Sequence, residues 1–185
     1  MATAPVRHRF TVKELLKMDK VGLCDDRRVQ LIEGESIDIA PINPPHAGSV
    51  ASLNFRLGKG LRGRALIWPQ NPVWLTAYSL PQPDLVLLRW RDDFYQTRHP
   101  RPEDVLLVIE VAHTTLRYDR NVKVPLYARA GIPEVWVWDV QRQRVLVYRD
   151  PIPEGYRTTF EVGRDGSVSP QAFPDLVIPV ASILG

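Results

Sequence analysis

Three side chains in this sequence have the types and positions of a metal-assisted hydrolytic site. Asp84 stands at the head of a short apolar run, and Glu110 stands at the end of another. An ionised carboxylate at the end of a buried strand is costly unless a cation pairs with it, and Mg²⁺ is commonly held by one or two carboxylates. Lys123 follows in the next helix-forming segment. These residues predict a Mg²⁺ site with a lysine that stabilises charge on a phosphate.

Two neighbouring strands must carry the carboxylates. The runs 85–88 and 105–109 are short and aliphatic, and Pro, Asp and Arg bound them. This pattern is typical of strands that are buried on both faces. Carboxylates on adjacent strands repel each other, so they also need a cation between them.

A helix must carry Lys123. Val122, Leu126 and Tyr127 form its predicted packing face, Gly131 is a good terminator, and Pro125 either kinks it or marks its start. A lysine at the head of a helix is unfavourable in the helix dipole. This position favours a functional lysine, and the alternative is an ordinary surface lysine.

The part of the sequence that contains Asp84, Glu110 and Lys123 resembles the Uma2 family of the PD-(D/E)xK nuclease superfamily. The resemblance covers residues 10–150 and rests on these phrases: Leu31-Ile32-Glu33-Gly34-Glu35, Pro83-Asp84-Leu85, Val108-Ile109-Glu110-Val111, Tyr118-Asp119-Arg120, Lys123 and Tyr127-Ala128-Arg129-Ala130-Gly131-Ile132-Pro133-Glu134-Val135-Trp136. It implies an α/β fold with a restriction-endonuclease-like core, in which helices flank a central mixed β-sheet and β-hairpins are added.

The resemblance also implies an activity and a ligand set. Asp84 and Glu110 would hold Mg²⁺ together with the backbone carbonyl of Val111, and Mn²⁺ could substitute. Lys123 would complete the catalytic set. The expected reaction is endonucleolytic hydrolysis of phosphodiester bonds in nucleic acid, with DNA as the expected substrate, by a water that Mg²⁺ activates. The family and two-fold-symmetric targets further suggest a homodimer.

One residue departs from the superfamily motif. The motif lysine stands two residues after the glutamate, where this chain has Ala112, so Lys123 would have to take its role. The departure leaves a second interpretation open. The chain would then be a nuclease-fold module that has lost catalysis and acts in nucleic-acid binding or protein interaction.

Four further residues are candidates for a supporting role. Glu33 lies near the turn of a hairpin predicted over 28–40, where the family has a carboxylate, and the alternative is a solvated turn. His46 opens a helix and faces either the site or the surface. Gln70 presents its side chain to the site or belongs to a turn. His113 is either a local base beside the metal or a solvated side chain.

Length and composition indicate the number of domains, the disulfide content and the location of the protein. The chain has 185 residues and 44% hydrophobic content, which predicts one domain with a substantial core. We expect a leader at 1–9 and the domain at 10–185. A net charge of +3 permits nucleic-acid binding without requiring it. One cysteine excludes a disulfide framework. No run is long enough for a membrane span or a signal peptide, so a cytoplasmic protein is expected.

The other elements follow from local patterns. Thr11 and Glu14 predict a capping box at the start of a helix. Pro44 opens a second helix that glycines at 58–63 should end, with an apolar stripe at helical spacing. Strands are predicted at 65–68 and 73–78, and a hairpin at 134–148. The stripe residues are Ala47, Val50, Leu53 and Leu57.

Three surfaces are left with two interpretations each. The aromatic residues Trp136, Trp138 and Tyr148 either stack on bases or divide between the core and a dimer contact. The basic cluster Lys59, Arg62 and Arg64 is a solvated loop or a phosphate contact. The long polar loop 89–103 is functional or mobile.

Overall fold

A computed structural model of the chain describes residues 7–24 and 27–183. Its strands, in chain order, are β1 (Val29–Ile32), β2 (Glu35–Asp38), β3 (Leu66–Pro69), β4 (Leu85–Leu88), β5 (Val105–Ala112), β6 (Glu134–Asp139), β7 (Arg144–Ile152), β8 (Gly155–Gly163), β9 (Ser167–Val168) and β10 (Ile178–Pro179). Its α-helices are α1 (Val12–Lys20), α2 (Pro44–Leu61), α3 (Leu116–Tyr118) and α4 (Val124–Arg129).

Six strands form one mixed sheet in the order β3-β4-β5-β6-β7-β8. Only β5 and β6 pair in parallel within it, and α3 and α4 lie in the crossover that joins them. The strand pairs β1–β2 and β9–β10 form two small additional sheets. The predicted α/β architecture, a mixed sheet with flanking helices and extra hairpins, is confirmed.

Side-chain alternation divides the core between the two faces of the sheet. Leu85, Leu87, Leu107 and Ile109 pack with the buried face of α2. The residues between them, such as Val86 and Val108, pack with α4 on the opposite face. Glu110 shares the parity of Val108 and Ala112, so it lies on the α4 face of β5.

The helix starts agree with their predicted caps. The Thr11 side chain accepts from the Glu14 backbone N–H, and the Glu14 carboxylate accepts from the Thr11 backbone N–H. Asn43 caps α2 through the His46 backbone N–H, with prolines in the first turn. The helix ends at Leu61, within the predicted range 58–63, and its C-cap Arg62 adopts a left-handed conformation.

Two details of the predicted elements are wrong. Ala47 is exposed, and the buried stripe of α2 continues to Leu61 instead. Residues 73–78 do not form a strand, because the Leu75 and Thr76 backbone N–H groups bond to the Ser79 carbonyl and fold the chain into a turn. The segment is held by single contacts, such as the Val73 N–H to the Pro81 carbonyl at 3.0 Å.

The aromatic residues of the β6–β7 hairpin belong to the core. Trp136 and Trp138 are both 0% exposed, so neither can stack on a base, and neither can form a dimer contact. Tyr148 is half-buried and lies 6.0 Å from the Tyr156 ring, between ring centroids. The interpretation of these residues as a base-stacking surface is wrong.

The polar loop 89–103 uses several of its cations internally. Arg91 pairs with Asp93 at 2.7 Å, and the two guanidinium nitrogens of Arg98 both contact Asp104. Tyr95 donates its hydroxyl hydrogen to the Arg89 carbonyl at 2.8 Å. The loop is therefore a compact, self-paired structure rather than a free basic surface.

Two further observations concern the chain as a whole. Residues 1–6 of the predicted leader lie outside the described residues. Near the end of the predicted leader, the Arg9 guanidinium donates to the Glu33 carbonyl at 2.9 Å and so contacts the β1–β2 turn. Within 7–24 and 27–183, no helix has the length and apolar character that a membrane crossing requires.

Candidate active site

Strand register brings Asp84 and Glu110 to the same end of the sheet. Leu85 of β4 pairs with Ile109 of β5, so the antiparallel register sets Asp84 opposite Glu110. Both residues have the parity of the α4 face. Asp84 precedes β4 and Glu110 stands near the end of β5, and this pairing makes the rim of the sheet acidic.

The Asp84 carboxylate is held by two donors. Its Oδ2 accepts from the Val111 backbone N–H at 2.8 Å, and its Oδ1 lies 3.0 Å from Nε2 of His46. His46 reaches this position because the Asn43 cap fixes the first turn of α2. The Asp84 hydrogen bond raises the pKa of His46, which favours the imidazolium.

Glu110 is the most enclosed carboxyl group of the site. It is 2% exposed, its Oε2 lies 3.0 Å from Nζ of Lys123, and its Oε1 accepts from the Tyr127 hydroxyl at 2.6 Å. Burial raises the pKa of Glu110 to about 8, although the Lys123 ammonium opposes this change. The carboxylate therefore lies in a setting that favours additional positive charge.

The crossover segment carries Lys123 in an irregular helix. One π turn (Asp119–Lys123) separates α3 from α4, and such turns are frequent at functional sites. Lys123 is consequently inside a continuous helical segment and 7% exposed, not at a helix head. The dipole argument for Lys123 is wrong, and burial beside Glu110 is the observation that replaces it.

Asp119 is a third carboxylate of the site. Its Oδ1 lies 3.8 Å from Nζ of Lys123, and its Oδ2 accepts from the Thr115 hydroxyl at 2.6 Å. Burial raises the pKa of Asp119. Burial alone lowers the pKa of Lys123, but the charges of Glu110 and Asp119 outweigh it and raise that pKa to about 12. Lys123 is thus an ammonium at neutral pH.

A cavity of about 260 Å³ connects these groups. Asp84, Glu110, Asp119 and Lys123 line it, so three carboxylates face one lysine. Among the supporting candidates, the structure brings His46, Gln70 and His113 to this cavity. Gln70 adopts a positive φ of 49° and donates its backbone N–H to the Asp84 carbonyl at 3.0 Å.

Glu33 is not brought to the cavity. It occupies the β1–β2 turn with φ of 50°, its side chain is exposed, and its carboxylate pairs with Arg129 at 2.8 Å. Hairpin turns of this kind direct the side chain outward. The expectation that Glu33 approaches the site is therefore corrected.

Sequence reasoning overlooked Asp119 and Tyr127 as members of the site. Asp119 lies inside the helical segment, in the π turn that also contains Lys123. Asp119, Lys123 and Tyr127 follow one another at intervals of four residues, which puts them on one helical face. That spacing, with polar groups on a face that must pack against a buried strand, is the signal that could have identified them.

Comparison with protein families identifies the chain. A family model described as "Uma2: Putative restriction endonuclease" matches residues 12–181. The chain belongs to the Uma2 family. The stretches that resemble Uma2 in sequence lie within this match, and the site residues above all fall inside it.

A solved structure supports the fold of this Uma2 chain. The crystal structure of "a putative nuclease belonging to DUF820" from Anabaena variabilis ATCC 29413 is similar to it with a TM-score of 0.72. The two are 16% identical, and the match covers 97% of this chain and 98% of that one. At this identity the likeness shows the shared fold. No curated protein matches the chain.

The donor set of the Uma2 site fits a divalent metal of the Mg²⁺ type. Restriction-endonuclease-like families generally use divalent metals. In the part of the chain that the structure describes, no group of three or more His, Cys, Asp or Glu side chains is arranged so that all of them could hold one metal ion. Mg²⁺ does not require one, because one or two carboxylates, waters and substrate phosphates suffice. Asp84 and Glu110 supply such a pair, and the raised pKa of Glu110 marks it as a carboxylate short of positive charge.

Proposed function

We propose that this chain is a divalent-metal-dependent endonuclease that hydrolyses phosphodiester bonds of nucleic acid, with DNA as its substrate and Mg²⁺ or Mn²⁺ as its cofactor. The observation that carries the proposal is the convergence of Asp84, Glu110 and Lys123 on one cavity at the rim of the sheet. Membership of the Uma2 family and the fold of the DUF820 nuclease support the same assignment.

Asp84 and Glu110 would hold the metal, with the Val111 carbonyl as a third oxygen. When bound, the metal supplies an activated water and neutralises negative charge on the phosphate. The Val111 N–H already fixes Asp84 against β5, so the residue that would offer its carbonyl also positions a metal ligand. Tyr127 orients Glu110 through its hydroxyl hydrogen bond.

Lys123 would stabilise the negative charge that develops on the phosphate. Its ammonium is held by Glu110 and Asp119, and its raised pKa keeps it charged. A charged donor fixed in a water-poor cavity is worth far more than one in bulk solvent. Asp119 is a positioning residue in this scheme, and Thr115 in turn holds Asp119.

A non-catalytic nuclease-fold module remains the second candidate, and two observations favour it. Ala112, which is fully buried, stands at the position of the motif lysine, so that position supplies no positive charge. Both oxygens of Glu110 and both oxygens of Asp84 already have partners in the structure. Such a network of hydrogen bonds and ion pairs can have a purely structural role. In this interpretation the module would bind nucleic acid or a protein.

A plasmid assay separates the two candidates. Supercoiled DNA is incubated with the wild type, Glu110→Gln and the matched variant Glu33→Gln, with Mg²⁺, Mn²⁺ or EDTA. The proposal expects metal-dependent nicking by the wild type and Glu33→Gln, and none by Glu110→Gln. Absence of nicking by the wild type with either metal, or nicking that survives Glu110→Gln, would overturn the proposal and favour the non-catalytic module.

The proposal includes a homodimer, because a duplex presents two strands related by two-fold symmetry. Light scattering at micromolar protein concentration checks this part separately. A mass of about twice 21.1 kDa is expected. A mass of one chain would remove the dimer from the proposal without affecting the assignment of the site.

A further inference from the structure

A second cleft adjoins the site cavity. It has a volume of about 560 Å³, and His113 and Thr114 line both spaces. These two residues follow β5 directly, so the two spaces adjoin at the end of that strand. The other polar and charged groups of this arginine cleft come from the crossover segment, the end of β6 and the β6–β7 turn: Arg117, Arg120, Asn121, Asp139, Gln141 and Arg142.

Three exposed arginines give the arginine cleft a positive charge. Among the residues described, no carboxylate pairs with Arg117 or Arg120, and Arg142 reaches Asp139 only at 4.0 Å. Asp139 is 3% exposed and is already paired with Arg144 at 3.1 Å. The guanidinium groups are therefore available to an anion from solution.

The cavity beside the arginine cleft carries charged groups of both signs. Its lining includes the carboxyl groups of Asp38, Asp84, Glu110 and Asp119 and the basic groups of Arg28, His46 and Lys123. A polyanionic substrate therefore gains little net attraction from the cavity alone, and a neighbouring basic surface would supply it. The arginine cleft is such a surface, and its shared lining residues place it next to the cavity.

We propose that the arginine cleft binds backbone phosphates of the nucleic-acid strand next to the bond that is cleaved. This inference rests on the proposed function and deepens it by assigning a substrate-positioning site. Guanidinium groups match phosphate oxygens with paired donors. The amides of Asn121 and Gln141 add uncharged donors of the type that contact sugar and phosphate. Contacts of this kind fix register and carry no base specificity.

A second basic surface offers a matched control. It lies at the far end of α2, where Arg56, Lys59 and Arg62 line a groove of about 680 Å³. Arg64 of the predicted basic cluster is paired there with Asp175 at 2.8 Å. At 1.5 Å per residue, Arg62 is roughly 24 Å along the helix from His46. Nonspecific attraction would use both surfaces, whereas substrate positioning would use the arginine cleft.

The test compares two triple variants that remove the same charge. Arg117→Gln/Arg120→Gln/Arg142→Gln alters the arginine cleft, and Arg56→Gln/Lys59→Gln/Arg62→Gln alters the distant groove. Binding of a short fluorescein-labelled DNA duplex, and of its single strand, is followed by anisotropy in EDTA at several salt concentrations. All six residues are exposed, so unfolding midpoints should stay unchanged, and urea titration verifies this.

The proposal expects the cleft variant to lose affinity roughly tenfold or more, with a salt slope about 2 to 3 smaller, because each duplex phosphate contact contributes about 0.9. The distant variant should keep most of the wild-type slope. Equal slopes for the cleft variant and wild type, or a larger loss in the distant variant, would overturn the inference and leave the nuclease assignment intact. Wild-type protein that binds neither DNA form in EDTA would also overturn the inference, and the plasmid assay with metal tests the nuclease assignment separately.

Discussion

Nζ of Lys123 lies 3.0 Å from Oε2 of Glu110, and both side chains are buried. Glu110 reaches the contact from the end of β5, and Lys123 reaches it from the crossover that β5 enters. In a βαβ unit, the helical connection packs back onto the sheet that contains the preceding strand. The parallel pairing of β5 and β6 therefore supplies a lysine to the glutamate although Ala112 stands at the motif position.

Lys123→Met is expected to abolish cleavage and to lower the free energy of unfolding by about 3 kcal/mol, because it leaves a buried carboxylate without its cation. Urea denaturation measures the loss. Lys59→Met, at an exposed position of α2, is the control. Adding Glu110→Gln should recover part of the stability, because no buried charge then lacks a partner. Additive losses in the double variant would contradict the coupling.

Tyr127→Phe is expected to lower the cleavage rate about tenfold, because a group that orients a metal ligand typically has effects of this size. It should also cost about 1 kcal/mol of stability for the lost hydrogen bond to Glu110. Tyr156→Phe removes a hydroxyl that donates to the Ile132 carbonyl at 2.8 Å, away from the site. That control should change stability alone. Equal cleavage rates in the two variants would refute an orienting role for Tyr127.

The pH dependence of stability should reveal the Asp104 ion pair in the 89–103 loop. Burial raises the pKa of Asp104, but the Arg98 guanidinium and the Arg101 backbone N–H outweigh it, so the net change is downward. A lowered folded-state pKa means that the pair stabilises fully above the unfolded value near 3.9. The contribution is lost as the pH falls through the folded-state value.

Unfolding free energies of the wild type and Asp104→Asn should therefore differ by a constant amount of about 2 kcal/mol above about pH 5. The difference should shrink steadily below about pH 4. Chemical denaturation at a series of pH values measures both curves. A difference that widens on acidification would show that the ion pair does not stabilise the loop.

The strands and the ends that carry the carboxylates could be predicted from the sequence. In the runs 85–88 and 105–109, the residues that point to either face of the strand are all apolar. Such a run is buried completely only in a strand that is covered on both faces. A single carboxylate at the end of each run then stands out against its apolar neighbours. Placing the runs on neighbouring strands could be predicted, and the observed register then sets Asp84 opposite Glu110.

Other parts depend on contacts that no local pattern contains. Glu33 pairs with Arg129 across the fold, and the sequence does not show that its turn directs it outward. A turn that the Leu75 and Thr76 N–H groups close on the Ser79 carbonyl replaces a ladder in a segment whose side chains look strand-like. Trp136 and Trp138 became core residues because helices and the C-terminal segment cover both faces of β6. The π turn that brings Asp119 and Lys123 together also has no signature of its own.

The central claim is that Asp84 and Glu110 form one metal site, and Mn²⁺ binding measured by isothermal calorimetry tests it most directly. Wild-type protein, Asp84→Asn, Glu110→Gln and the control Glu33→Gln are titrated under identical conditions. The claim predicts saturable binding by the wild type and Glu33→Gln, and loss of binding in both site variants. Wild-type protein that binds no Mn²⁺, or binding that persists in both Asp84→Asn and Glu110→Gln, would contradict it.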